Sequence, residues 1–181
     1  QPHLESKVVD EHNRIVPRGQ IGELCTRGYS VMLGYWNNPQ ATAQAIDAGR
    51  WMHSGDLAVM DEQGYVCIVG RSKDMIIRGG ENIYPREIEE FLFNHAAVAD
   101  VQVIGVPDAK YGEEIAVWVI LHAGQACGAE ELRAYCKANI AHFKVPRYFK
   151  FVDQFPMTVT GKVQKFRMRE LMLAELEQAA S

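Results

Sequence analysis

The sequence has 181 residues, of which 48% are hydrophobic and 23% charged, and its net charge is −4. This balance is typical of a globular protein and excludes an intrinsically disordered chain, while the length fits one domain, or a small domain with part of another. No segment has the roughly 18 consecutive apolar residues that a membrane-spanning helix needs, and the acidic balance disfavours a dedicated nucleic-acid binder.

The N-terminal part of the sequence predicts β structure interrupted by one helix. Pro39 fits the first turn of that helix, which continues through residues 41–46. The segment Asp61-Glu62-Gln63-Gly64 predicts a turn that joins two strands as a hairpin. The predicted strands are residues 7–10, 23–27, 57–60 and 65–69.

After Arg71, helices and strands alternate irregularly. Strands are predicted at residues 74–78, 98–106, 115–121 and 148–152, and helices at 85–94, 129–140 and 166–177. This alternation predicts an α+β fold. We expect a small domain with a mixed sheet and covering helices over residues 73–181, preceded by a β-rich piece of a larger domain over residues 1–72.

The cysteines and the chain start bear on cofactors and location. Cys25, Cys67, Cys127 and Cys136 form no C-x-x-C pair, and no histidine lies at ligand spacing from them. We therefore predict no metal site, and we expect each cysteine to be a small, partly buried apolar residue.

Because the sequence begins with Gln1 and has no signal segment, we expect a piece of a longer or processed protein in the cytoplasm.

The first motif is Trp51-Met52-His53-Ser54-Gly55-Asp56. A carboxylate directly after a glycine turn, at the start of a strand, is well placed to accept hydrogen bonds from two neighbouring hydroxyl groups. The alternative is that Asp56 only stabilises the turn.

The second motif combines Gly70-Arg71-Ser72-Lys73-Asp74 with the Gly79-Gly80 pair before Pro85. Two glycines permit positive φ and close approach of the backbone to a ligand, and the Pro85 helix would offer its N-terminus to an anion. The Arg71 guanidinium suits ribose or phosphate oxygens. The alternative is an interdomain linker followed by a helix-entry loop.

The third motif is Pro156-Met157-Thr158-Val159-Thr160-Gly161-Lys162. It lies in residues 144–170, where basic residues outnumber acidic ones, a pattern that can attract a polyanion. Lys162 follows a glycine in a polar turn and could neutralise charge that develops in phosphoryl or acyl-phosphate chemistry. The alternative is that Lys162 is a surface lysine equivalent to Lys165.

Together these motifs resemble the adenylate-forming superfamily of AMP-binding enzymes, which includes acyl-CoA synthetases. The resemblance covers essentially the whole sequence, and the residue pattern of 73–85 is most similar to that of medium-chain fatty-acyl-CoA synthetases. The matching motifs are Gly22-Glu23-Leu24, Gly34-Tyr35-Trp36, Ser54-Gly55-Asp56, Gly70-Arg71, Gly79-Gly80 and Thr160-Gly161-Lys162.

The resemblance implies a role for individual residues. Asp56 would bind the ribose hydroxyls of ATP and AMP, and Arg71 the ribose or phosphate. Lys73 would be the hinge about which the C-terminal domain rotates, and Lys162 would stabilise charge during adenylate formation. The loop at Gly79 and Gly80 would face CoA. Ser54 replaces the threonine more common in this family and keeps the hydroxyl.

The resemblance also implies the reaction. The whole protein would use ATP and Mg²⁺ to convert a carboxylic acid to an acyl-adenylate, and CoA would then displace AMP. No glycine- and serine-rich phosphate loop occurs in the sequence, so this chain alone is expected to be inactive. Alternatives are an aryl-CoA ligase, a luciferase-like enzyme, a peptide-synthetase adenylation domain or, more remotely, a non-catalytic polyanion-binding module. Acyl specificity and oligomeric state are not indicated.

Overall fold

The computed structural model describes residues 3–180. The chain divides into two compact units, one ending at Lys73 and the other beginning at Asp74. Among the described residues, no helix is long and apolar enough to cross a membrane.

The first unit is built on a four-stranded antiparallel sheet. Its strands follow one another in chain order: β1 (Leu4–Val9), β2 (Ile21–Gly28), β3 (Met52–Met60) and β4 (Val66–Arg71). Helix α1 (Pro39–Ala45) lies between β2 and β3 and begins at the predicted proline. The Asn38 side chain accepts a hydrogen bond from the N–H of Ala41 and so caps α1. The buried apolar residues are Val8, Val9, Cys25, Ile46, Leu57 and Ala58.

The β3–β4 hairpin confirms the predicted turn. The Asp61 N–H donates to the carbonyl of Tyr65 at 2.9 Å, and the Asp61 carboxylate accepts the N–H of Tyr65 at 2.8 Å. Aspartate at the start of a turn commonly makes such local bonds, which is why the sequence predicts the turn well.

The second unit contains a mixed sheet, as predicted. Its centre is the long antiparallel hairpin of β7 (Val98–Asp108) and β8 (Gly112–Leu121). Strand β9 (Tyr148–Phe151) pairs parallel with β8, and β5 (Ile76–Arg78) pairs with the start of β8 and with β6 (Glu81–Ile83).

Both faces of this sheet are covered by helices. Alternate residues of β8 point to opposite faces: Ile115, Val117 and Val119 join one cluster, and Ala116 and Trp118 join the other. This double burial explains why the sequence shows a continuous apolar run here rather than an alternating one. The first cluster includes residues of α2 (Pro85–Phe93) and α3 (Ala129–Asn139), and the second includes residues of α4 (Lys165–Ala180).

Several bounds differ from the sequence prediction. Strand β3, predicted over residues 57–60, already begins at Met52. The predicted strand at 74–78 is shorter, because residues Ser72–Asp74 form a 3-10 turn and β5 begins at Ile76. Strand β6 was not predicted, since it has three residues, two of them polar, and forms only through pairing with β5. Helix α4 extends beyond the predicted 166–177 at both ends.

Candidate functional site

Asp56 and Arg71 meet on neighbouring strands of the first unit. They stand directly opposite each other in the β3–β4 register, and Arg71 Nε donates a hydrogen bond to Asp56 Oδ1 at 2.9 Å. The side chains are 35% and 53% exposed, respectively, so both remain open to solvent. An exposed carboxylate beside a guanidinium can accept hydrogen bonds from hydroxyl groups while the guanidinium offers further donors to anionic oxygens.

A break in the sheet shapes the segment that carries Asp56. Glu23 pairs with Leu57 and Cys25 pairs with His53, so the single residue between them on β2 stands opposite residues 54–56 of β3. Gly55 has a φ of +72°, a conformation that glycine adopts without strain. Such bulges often lie beside functional sites, where they redirect a side chain.

Side chains replace the missing backbone pairing at this bulge. Glu23 Oε1 accepts the N–H of Gly55 at 2.9 Å. The Ser54 hydroxyl donates to the carbonyl of Leu24 at 2.7 Å and accepts the N–H of Asp56 at 3.1 Å. The hydroxyl of Ser54 therefore has a structural role next to Asp56. The predicted turn at Gly55 before a strand is wrong, because Gly55 and Asp56 lie within β3 and the irregularity there is a bulge.

The same bulge brings together three groups able to bind a metal. Ligand atoms of Glu23, Cys25 and His53 lie within 4.8 Å of one another. They are engaged without a metal: His53 Nδ1 lies 2.7 Å from Glu23 Oε2, and the second Glu23 oxygen binds Gly55. The pKa of the Cys25 thiol is raised to about 11, chiefly by burial. The thiol therefore stays protonated at neutral pH and is a poor metal ligand.

A second such group lies in the other unit, where ligand atoms of His95, Cys127 and Glu131 also lie within 4.8 Å of one another. The His95 Nδ1 atom accepts the N–H of Ala97 at 3.3 Å, so the neutral ring carries its proton on Nε2, the nitrogen nearest Glu131. Sequence spacing missed both groups because the histidine of each comes from a segment distant from the other two members.

Lys73 lies in the 3-10 turn Ser72–Asp74, at the end of the first unit. Its side chain is exposed. Within residues 3–180 it makes no hydrogen bond or ion pair, so nothing in the described structure restrains this side chain. A residue at such a junction is placed where a backbone rotation could move one unit, and the hinge role that the family resemblance implies for Lys73 stays a prediction.

Gly79 and Gly80 form the two-residue loop of the β5–β6 hairpin. Their φ values are +61° and +88°, the pattern of a type I′ turn, in which both central residues need positive φ. The Gly79 N–H also donates to the carbonyl of Tyr111 at 2.8 Å. The hairpin by itself therefore accounts for both glycines, and a CoA-facing role for this loop stays a prediction.

An ion pair that the sequence did not predict lies at the base of this hairpin. Arg78 Nη2 donates to Glu114 Oε1 at 2.8 Å, and Glu114 is 1% exposed. The pKa of Arg78 is raised, chiefly by its hydrogen bond to Glu114. Arg78 Nη1 also donates to the carbonyl of Phe143 at 3.2 Å. This buried pair joins the hairpin to β8 and to the segment before β9.

Lys162 lies on a short ordered turn before α4. The N–H of Thr158 donates to the Lys162 carbonyl at 2.8 Å, and the Lys162 N–H donates to the Thr158 hydroxyl at 3.0 Å. The Lys162 side chain is exposed and has no hydrogen-bond or ionic partner among residues 3–180. Its ammonium group is therefore available to a ligand.

Lys165 is not equivalent to Lys162. Its ammonium group donates to Glu89 Oε1 at 2.6 Å and to the Val103 carbonyl at 3.1 Å, and its side chain is 24% exposed. This lysine holds the start of α4 against α2 and β7. The idea that the two lysines are interchangeable surface charges is therefore wrong.

The predicted site residues thus fall into separate groups. Asp56 and Arg71 are in contact in the first unit. Gly79, Gly80 and Lys162 lie on different loops of the second unit, and no hydrogen bond joins these loops in the described part of the chain.

Comparison with known families gives two matches. The family described as AMP-binding enzyme matches residues 1–36, and the family described as AMP-binding enzyme C-terminal domain matches residues 87–162. The two matches occur in the order that the motifs predicted.

Individual proteins match over most of the chain. YngI of Bacillus subtilis (strain 168), named as a candidate acyl-CoA synthetase, is 59% identical over 170 residues, which are 93% of this chain and 31% of that protein. The bovine (Bos taurus) medium-chain acyl-CoA ligase ACSF2, mitochondrial, is 54% identical over 172 residues, which are 94% of this chain and 28% of that protein. The chain spans about a third of the length of these relatives.

Among solved structures, ATP-bound MatB from Rhodopseudomonas palustris superposes with a TM-score of 0.90 at 37% identity. The superposition covers 94% of this chain and 34% of MatB.

Proposed function

Since this chain belongs to the family of AMP-binding, adenylate-forming enzymes, we propose that it supplies the C-terminal part of an ATP-dependent carboxylate–CoA ligase. The observation that carries the proposal is the contact between Asp56 and Arg71, two exposed side chains held together on adjacent strands. The names of the similar proteins, an acyl-CoA synthetase and a medium-chain acyl-CoA ligase, support a fatty acid as the carboxylate.

Asp56 and Arg71 bind the nucleotide in this proposal. The free oxygen of the Asp56 carboxylate accepts hydrogen bonds from the vicinal ribose hydroxyls, which are donors of matching spacing. Arg71 orients that carboxylate through Nε and keeps its other N–H groups for oxygens of the ribose or phosphate. The two residues thereby fix the sugar while the phosphate end reacts.

Lys162 acts on the first chemical step. The substrate carboxylate attacks the α-phosphorus of ATP, the bond to pyrophosphate breaks, and an acyl-adenylate forms. Negative charge builds up on the phosphate oxygens in the transition state, and a lysine ammonium placed there stabilises it. The exposed, unpaired Lys162 side chain on an ordered turn is suited to that role. In the second step CoA thiolate attacks the acyl carbon and AMP leaves.

Lys73 and the Gly79–Gly80 turn belong to the second step. One domain can serve two reactions if it rotates between them, and an exposed junction residue such as Lys73 can absorb the backbone change. The rotation would bring the Gly79–Gly80 turn to CoA. Glycines at its tip leave room for a ligand to approach the backbone.

ATP is used with Mg²⁺ in this proposal, but the residues assigned here do not fit a magnesium site. Magnesium prefers carboxylates together with phosphate oxygens and water. Asp56 is the one carboxylate that we assign to the nucleotide, and it is paired with Arg71. A cytoplasmic location also remains part of the proposal.

The proposal is tested with the longer enzyme that carries this chain. We expect fatty-acid-dependent exchange of pyrophosphate into ATP, and acyl-CoA formation when CoA is added. Exchange without any thioester product would indicate another adenylate-forming enzyme, and no exchange with any carboxylic acid would overturn the proposal. The 181-residue chain alone is expected to give no exchange, because residues outside it would complete the nucleotide pocket.

A further inference from the structure

Asp56 lies in a segment of β3 that the regular backbone hydrogen bonds between β2 and β3 do not hold. Between the pairs Glu23–Leu57 and Cys25–His53, β2 has one residue where β3 has residues 54–56. The backbone groups of this segment therefore lack a regular set of partners on β2. Buried or half-buried N–H groups are stabilised only if another acceptor replaces the lost one.

Glu23 supplies that acceptor with both of its carboxylate oxygens. Oε1 accepts the Gly55 N–H at 2.9 Å, and Oε2 lies 2.7 Å from His53 Nδ1. The carboxylate thus joins His53, the paired residue before the bulge, to Gly55, the residue directly before Asp56. Its side chain is 27% exposed and that of His53 is 22% exposed, so solvent competes only partly for these bonds.

The bonds formed by Glu23 act on the residue next to Asp56. Gly55 has a φ of +72°, and its N–H is held by Glu23, so the direction in which the chain enters Asp56 is set at that point. The Asp56 N–H is in turn bound by the Ser54 hydroxyl at 3.1 Å. Glu23 and Ser54 bind backbone N–H groups here and not the Asp56 carboxylate, so their effect on a nucleotide is indirect.

We propose that Glu23 is a positioning residue for nucleotide binding: its carboxylate fixes the backbone from His53 to Gly55, at the entry to the bulge, so that Asp56 is held in place for the ribose. This inference rests on the proposed function. A negative charge is favoured over a neutral acceptor because hydrogen bonds to an ionised acceptor are roughly twice as strong.

The test uses the longer enzyme with Glu23→Ala and Glu23→Gln. Glu23→Ala removes both hydrogen bonds, and we expect the KM for ATP and the Kd for AMP to rise about tenfold while the KM for CoA stays unchanged. Glu23→Gln keeps an acceptor for the Gly55 N–H, so an increase smaller than that of Glu23→Ala is expected. Glu62→Ala is the matched control, because Glu62 is an exposed glutamate in the β3–β4 turn of the same unit.

A merely structural role gives a different result. It would lower the melting temperature and the fraction of active enzyme, and hence kcat, without changing the affinity for AMP. An unchanged Kd for AMP in folded Glu23→Ala therefore overturns the inference. If Glu23→Ala does not fold, Glu23→Gln decides in the same way: a weaker affinity for AMP supports the inference, and wild-type affinity overturns it. Failure of the wild-type enzyme to bind AMP would instead count against the proposed function.

Discussion

Arg71 Nε donates a hydrogen bond to Asp56 Oδ1 at 2.9 Å, across the first residue pair of the β3–β4 ladder. Both side chains are more than a third exposed, and an exposed ion pair of this kind contributes only about 0.2–1 kcal/mol to stability. The pair can therefore reorganise around a ligand at little cost. Its exposed location, rather than its strength, supports the proposed role in nucleotide binding.

Asp56→Asn in the longer enzyme should weaken nucleotide binding. The substitution keeps the size of the side chain but removes the charge that strengthens hydrogen bonds from the ribose hydroxyls, each worth about 1.5–3 kcal/mol. We expect the Kd for AMP to rise about 10- to 100-fold, measured by equilibrium titration. The control is Asp153→Asn, an exposed aspartate of the second unit. Equal affinities for wild type and Asp56→Asn would contradict the role of Asp56.

Lys162→Ala should slow adenylate formation by a factor on the order of 10²–10³, because one donor to the transition-state charge is lost. Thioester formation from supplied acyl-adenylate should remain nearly intact, since that step does not use the same charge. The two half-reactions are measured separately, by pyrophosphate exchange and by release of AMP.

Lys137→Ala is the appropriate control for Lys162, because Lys137 is exposed and has no partner among residues 3–180. Lys165→Ala is not a matched control, since it breaks the bonds to Glu89 and Val103 and should lower stability. If Lys162→Ala and Lys137→Ala slow adenylation equally and slightly, Lys162 is not the catalytic lysine.

Lys73→Pro should separate the two half-reactions. Proline fixes φ near −65°, so a hinge at this position could no longer absorb a large backbone change. We expect adenylation to stay near wild type and thioester formation to fall strongly, with Lys73→Ala close to wild type in both. Equal losses in both half-reactions would point to misfolding and not to a blocked rotation.

Asp108 should make the stability of this chain sensitive to acid. The N–H groups of Tyr111 and then Lys110, each 2.9 Å from Oδ1, hold the pKa of Asp108 below its ordinary value of 3.8. Because the unfolded chain binds this proton more tightly, the stabilisation is present above pH 3.8 and is lost as the pH falls through the lower folded pKa.

We therefore expect Asp108→Asn to lower the Tm of the 181-residue chain at pH 7, and the difference from wild type to shrink as the pH falls below 3.8. Thermal unfolding followed by circular dichroism at pH 7 and at acid pH measures both. A difference that stays constant over the whole range would show that the carboxylate charge is not involved.

Local patterns explain how much of the fold was predictable. Helix α2 begins at Pro85 and buries Ile88 and Leu92, the residues whose spacing predicted it. The hairpin turn after β3 follows from the local bonding of Asp61. Each of these features is encoded within a few residues of the chain, so periodicity and turn chemistry suffice.

The contacts that organise the site are not local, and the sequence did not reveal them. Glu23 binds Gly55 across the bulge, Arg78 binds Glu114 from another strand, and Lys165 binds Glu89 from another helix. Pairing between distant segments depends on the register of the sheet and on helix packing, which one sequence does not specify. The motifs identified Asp56 and Lys162 as candidate site residues from the sequence alone. The residues that hold their surroundings in place could be found only from the structure.

The ordered turn before α4 has an entropic consequence for ligand binding. Its backbone is already fixed by the bonds between Thr158 and Lys162, and Lys165 secures the helix that follows. Ordering a free loop would cost about 1–2 kcal/mol for every residue, whereas immobilising one lysine side chain costs about 1.5–2 kcal/mol in total. A ligand that engages Lys162 therefore has to restrict one flexible side chain, and the conformational penalty for the rest of the turn is already met during folding.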